Sequence, residues 1–104
     1  MKLTVFVTPR AEVQIREIQE WWWENRREAP ELFTEEFEGA LDLLETSPDI
    51  GQPYRGTKVR GVRRLLLTGS RNHVYYVHDP DRSKVVIIAV WGAVRGKRPP
   101  LRGL

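Results

Sequence analysis

The chain has 104 residues, 40% apolar and 30% charged, with a formal net charge of +3 and no cysteine. That length suits one compact domain, read as residues 1–104, and the lack of cysteine excludes disulfides and thiolate metal sites. The apolar stretch at residues 2–7 is too short for a signal peptide, and the run at residues 85–91 is far below the roughly 20 residues that span a bilayer, so a soluble, cytoplasmic protein is expected.

The small net charge conceals an asymmetry. Residues 1–52 carry 5 Lys/Arg against 12 Asp/Glu, a balance of −7, while residues 53–104 carry 12 Lys/Arg against Asp79 and Asp81, a balance of +10. An acidic first half is what solvent faces of helices commonly show. The second half implies an electropositive surface able to attract RNA, DNA or an acidic protein segment.

In chain order, residues 2–7 alternate loosely and are rich in Val, Phe and Thr, which predicts a first strand. Thr8 can accept amide hydrogen bonds at a helix start, and Pro9 suits the first helical position, where its missing N–H is no loss. Ala11, Ile15, Ile18 and Trp22 recur at spacings of 4, 3 and 4 and so form one helical stripe facing a core. Pro30 interrupts, and Phe33, Phe37, Ala40, Leu41 and Leu44 begin a second stripe, widened by Leu32 and Leu43. That helix should stop before Pro48, which disfavours helical geometry in the residue preceding it. Ser47-Pro48-Asp49-Ile50-Gly51-Gln52-Pro53-Tyr54-Arg55-Gly56 reads as a turn-rich connection. Three strands follow at about 59–68, 72–79 and 84–91, with turns at Gly69-Ser70 and Asp79-Pro80-Asp81-Arg82-Ser83. Residues 92–104 read as an irregular tail.

Strand, helix, helix, strand, strand, strand makes an α+β domain, a helical hairpin on a mainly antiparallel sheet. Strict alternation in the last strand would send Val85, Ile87, Ala89 and Trp91 to one face and Val86, Ile88 and Val90 to the other. Both faces are therefore apolar, and the tail, a second copy or a partner must cover the face away from the helices.

This order, with five stretches in sequence, resembles the ParE/RelE family of toxins from type II toxin–antitoxin systems. The stretches are Ala11-Glu12, Ser47-Pro48-Asp49-Ile50-Gly51-Gln52-Pro53, Val62-Arg63-Arg64-Leu65, His73-Val74-Tyr75-Tyr76-Val77 and Ala89-Val90-Trp91-Gly92. The resemblance spans nearly the whole chain and lies nearer the ParE-like, plasmid-stabilisation members, with two sizeable helices joined around Pro30. It implies a β-α-α-β-β-β fold and a toxin that stops growth unless a cognate antitoxin binds it. ParE-like members act on DNA gyrase and RelE-like members cut mRNA on the ribosome, while DNA is reached only through the antitoxin. A degenerate, non-toxic binding module is the third reading.

RNA cleavage needs cations to stabilise the scissile phosphate and a group to move the proton of the 2′-hydroxyl. Arg64 falls where ribonuclease members keep a basic residue, but Leu66 replaces the next one facing the same way. His73 stands where those members have arginine, and its near-neutral pKa suits acid–base work; the competing reading is a ring packed at a strand end. Arg95 or Arg98 fits the late arginine, yet no tyrosine follows Tyr76. The set argues against a RelE-type ribonuclease. Arg63, Arg64, Arg95, Lys97 and Arg98 are the expected target-binding residues. Tyr75 and Tyr76 should point to opposite faces, one into the core and one available. His73 and His78, five residues apart, face opposite ways, so no metal and no cofactor are expected. Trp21, Trp22 and Trp23 cannot all enter one core, because adjacent helical residues diverge by about 100°. Trp22 continues the core stripe, and Trp21 and Trp23 are the expected antitoxin anchors, unless the second helix and the sheet edge cover both.

Overall fold

The computed structural model describes residues 2–93 and 99–101. Its elements run β1 (Thr4–Val7), α1 (Pro9–Asn25), α2 (Leu32–Leu44), β2 (Gln52–Pro53), β3 (Val62–Leu67), β4 (Asn72–Asp79) and β5 (Lys84–Gly92), with a 3-10 turn, Pro80–Arg82, before β5. One five-stranded sheet has the order β1-β5-β4-β3-β2. All neighbours are antiparallel except β1 and β5, whose parallel pairing is possible because the helical hairpin returns the chain across the sheet. The expected α+β order is present. The sheet gains a two-residue strand, β2, inside the stretch read as a turn; Pro53 is tolerated there because β2 is an edge and needs no further donor.

Local chemistry sets the helix positions. The Thr8 hydroxyl accepts the Ala11 amide hydrogen at 3.2 Å and Pro9 opens α1. Ala11 and Ile15 are buried, with Ile18 and Trp22 packed against the same core. From α2, Phe33, Phe37, Ala40 and Leu44 enter that core, the two rings stacked at 5.9 Å. Leu43, counted from sequence as part of this face, is instead 41% exposed. At about 100° per residue it lies too far from the Phe33–Phe37–Leu44 stripe to share its contact.

The last strand also departs from strict alternation. Tyr75 lies opposite Ala89 and Tyr76 opposite Ile87, so Ile88 is the extra residue of a β-bulge. The bulge changes which residues face the helices. Val85, Ile87 and Val90 join the helix-side core, while Val86, Ile88 and Ala89 join Val62 and Tyr75 on the other face. That second face is partly covered by the chain itself, since Tyr54, Val59, Val77, Trp91 and Leu101 pack against it.

The long connection after α2 is anchored by Tyr76. Its ring is fully buried, and its hydroxyl donates to the Pro48 carbonyl and accepts from the Gly51 amide, each at 2.8 Å. Gly51 is required for that approach, because a Cβ there would lie 2.6 Å from the Tyr76 oxygen. Arg63, opposite Tyr76 in the ladder, adds a 2.7 Å bond to the Gly51 carbonyl. Tyr76→Phe should strand a buried donor and acceptor together and cost about 1–3 kcal/mol of unfolding free energy, measured by urea denaturation. A loss below a few tenths would show that the connection holds without the hydroxyl.

Candidate interaction site on the open sheet face

β3 divides its side chains strictly. Arg63, Leu65 and Leu67 lie toward the helices, and Val62, Arg64 and Leu66 toward the open face. The two adjacent arginines therefore do not form one patch. Arg63 is committed to the Asp49–Gly51 connection, with Asp49 at 3.9 Å as a weak, exposed ion pair.

Arg64 is at the centre of the open face. Its guanidinium lies 5.2 Å from the Tyr54 ring centroid, a cation–π contact, and hydrogen-bonds the Tyr75 side chain opposite it in the ladder. Tyr54 meets Tyr75 edge-on at 5.0 Å, and His73 meets Tyr75 at 5.9 Å. Leu66, directly across from His73, is 46% exposed. The face thus carries one oriented guanidinium, a half-buried imidazole and an exposed aliphatic side chain around two tyrosines.

Burial and the neighbouring Arg64 charge hold His73 below the ordinary imidazole range, so the ring is neutral at pH 7. Burial raises the Tyr75 phenol, partly offset by its bond to Arg64, and the phenol stays protonated. Chemically, the imidazole can accept a proton and Arg64 can bind an anion. A scissile phosphate needs more than one such cation. Around His73 and Tyr75, the described strands supply only Arg64.

The sequence placed Arg64 and His73 as candidates, and the fold brings them together. Arg95, Lys97 and Arg98 lie outside the described residues. Both tyrosines of the pair are buried: Tyr76 in the helix-side core, and Tyr75, 3% exposed, beneath Tyr54. Tyr54 was missed because it sits in a turn-rich stretch with no periodicity to assign it a face. On the helical side, Trp22 packs on the core, while Trp21 and Trp23 are 46% and 64% exposed. Arg26 lies 5.0 Å over the Trp21 ring. Trp23 borders a separate groove of about 340 Å³ with Glu20, Glu24 and Pro30.

A helical hairpin on one face of a short mixed sheet, with a basic and aromatic opposite face, defines a class: the small α+β toxins of RelE/ParE fold. The chain matches the family described as the ParE toxin of the type II toxin–antitoxin system parDE over residues 5–95, and it belongs to that family. Among solved structures it is similar to the chromosomal ParDE system of P. aeruginosa, with TM-score 0.67, 15% identity, and coverage of 88% of this chain and 96% of that one. It is also similar to the RelBE2 toxin–antitoxin complex of Mycobacterium tuberculosis, with TM-score 0.60, 19% identity, and coverage of 88% and 99%. A mutant of the E. coli toxin RelE in the free state gives TM-score 0.57 and 19% identity over 90% and 86%. At these identities the structural likeness is one of fold. No curated protein matches the chain.

The site makes a definite prediction about pH. His73 should titrate below 6.5 in the folded chain, followed by the imidazole resonances in NMR. Arg64→Ala should raise the midpoint only part of the way back, since burial is the larger cause. Because the unfolded chain takes up this proton first, stability should be held above about pH 6.5 and fall as pH drops through the lowered folded value. A His73 midpoint at or above 6.5 would contradict the geometry.

Proposed function

We propose that this toxin inhibits growth by binding DNA gyrase through its open sheet face, without cutting RNA, and that a cognate antitoxin neutralises it. The observation that carries this reading is the state of Arg64. Its guanidinium is already engaged by Tyr54 and Tyr75, and the next same-face position, Leu66, is apolar. An oriented cation beside an exposed aliphatic side chain suits a protein surface better than a transition state rich in negative charge. Membership of the ParE family supports the same target. The second reading, a RelE-like ribosome-dependent ribonuclease, is favoured by one observation, the uncharged His73 beside Arg64.

The antitoxin reading rests on the toxin–antitoxin systems among the similar structures and on the two exposed tryptophans of α1. Tryptophan is enriched among the few residues that dominate binding energy. The acidic helical half and the basic β half offer a partner two chemically different surfaces. Arg95, Lys97 and Arg98 are proposed to extend the basic one beyond Arg64. No helix among the described residues is long and apolar enough to cross a membrane.

Two outcomes are expected. Purified chain should abolish gyrase supercoiling in a salt-sensitive manner, and Arg64→Ala should weaken this at least tenfold with no chemical step lost; cleavage of ribosome-bound mRNA, abolished by His73→Ala, would overturn the assignment. Separately, Trp21→Ala or Trp23→Ala should cost about 2 kcal/mol of antitoxin binding in calorimetry. Unchanged affinity in both variants would remove the tryptophans from that interface.

A further inference from the structure

The ladder between β1 and β5 stops before β5 does. β1 pairs with residues 84–87, and the last backbone bond along that side is the Thr8 amide to the Ile87 carbonyl at 3.1 Å, whereas β5 continues to Gly92. On the other side, the Ala93 amide donates to the Arg71 carbonyl. Main-chain groups alternate in direction along an antiparallel ladder, so residues 91 and 93 face β4 while Val90 and Gly92 face the edge that β1 has left. The Val90 amide shows this directly. It donates at 2.8 Å to the side-chain oxygen of Gln14, which reaches from α1 into the place a neighbouring strand would occupy.

A cleft of about 410 Å³ lies beside this edge, bordered by Gln14, Ile18, Trp21, Trp22, Arg71 and Gly92. Its α1 wall is apolar: Ile18 and Trp22 pack on the core, and Trp21, set edge-on to Trp22 at 5.7 Å, is half exposed. At the β3–β4 turn, Arg71 is exposed, held by its own amide bond to the Leu67 carbonyl, and has no ion pair among the described residues; Glu17 stands on the α1 rim. An open strand edge asks for extended main chain, the tryptophan wall for an apolar side chain, and Arg71 for a carboxylate.

We propose that residues 90–92 of β5 take up an extended segment of a protein partner as an added strand. The segment displaces the Gln14 side chain from the Val90 amide, sets an apolar residue against Trp21 and Trp22, and places an acidic residue at Arg71. Added strands of this kind draw affinity from main-chain bonds and specificity from alternate side-chain pockets. Gln14 keeps the edge satisfied in the free chain, which also blunts it against pairing with the wrong strand. The identity of the partner rests on the antitoxin reading above; the strand edge does not.

The test uses the full ¹⁵N-labelled chain with the product of the neighbouring open reading frame as the antitoxin. Amide exchange at Gly92 should slow at least tenfold in the complex. Gly92→Pro removes the outward N–H without touching the β4 ladder, and should weaken binding at least tenfold; Arg71→Ala should weaken it severalfold. If Gly92→Pro fails to fold, exchange in the unaltered chain still decides. A complex that forms while Gly92 exchange stays unchanged would overturn the added strand and leave the antitoxin reading standing. Protection of Gly92 in the chain alone, rising with its concentration, would assign the edge to a second copy and overturn the proposal. Failure of any complex to form would remove the antitoxin reading and this proposal together.

Discussion

β5 has to be dry on both faces, and the rest of the molecule is arranged to make it so. Every residue from Val85 to Val90 is buried, and each such side chain contributes about 1.5–3 kcal/mol if it leaves water fully. One face is supplied by the helical hairpin, through Ala11, Ile15, Phe33 and Phe37. The other is supplied by Tyr75 and Val62, with Tyr54, Val59 and Leu101 laid over them. The bulge at Ile88 reconciles the two demands. It turns Val90 back toward α1, where its amide meets Gln14, and it places Ala89, the smallest residue of the run, opposite Tyr75.

Where ladders end, side chains replace strands as hydrogen-bond partners. Gln14 serves β5, Tyr76 serves the connection after α2, and the Glu36 carboxylate accepts the Gly69 and Ser70 amides at 2.7 and 2.9 Å, tying the β3–β4 turn to α2. Buried main-chain groups left without such partners would each cost free energy comparable to a lost hydrogen bond. With these contacts the helical side of the sheet is fully committed to stability. The open face is not, and there Arg64, His73 and Leu66 are held by a rigid sheet yet remain reachable. That division of labour places the target-binding function on the open face and leaves α1, with its exposed tryptophans, for a second protein.

Much of this was legible in the residues. The Thr8-Pro9 start, the stripes of α1 and α2, and the three late strands follow from short-range chemistry, and the structure has them. The site was half legible: Arg64 and His73 stand out by type and position, but the alternation that separates Arg63 from Arg64 matters only once the sheet has a helical side. The bulge was hidden, because six consecutive apolar residues give no signal where one is extra. Tyr54, Gln14 and Glu36 were hidden for another reason. Their contacts span 21, 76 and 33 or 34 residues of sequence, and no local pattern encodes such a partner.

The central claim, that the open face engages a protein target without chemistry, is tested most directly at Leu66. This side chain is exposed, makes no bond the fold depends on, and lies across from His73. Titration of gyrase with the chain and its Leu66→Asp variant should show at least a tenfold weaker association for the variant, with the melting temperature of the free protein unchanged. Equal affinity of the two proteins, or no association of the unaltered chain with gyrase at all, would contradict the account.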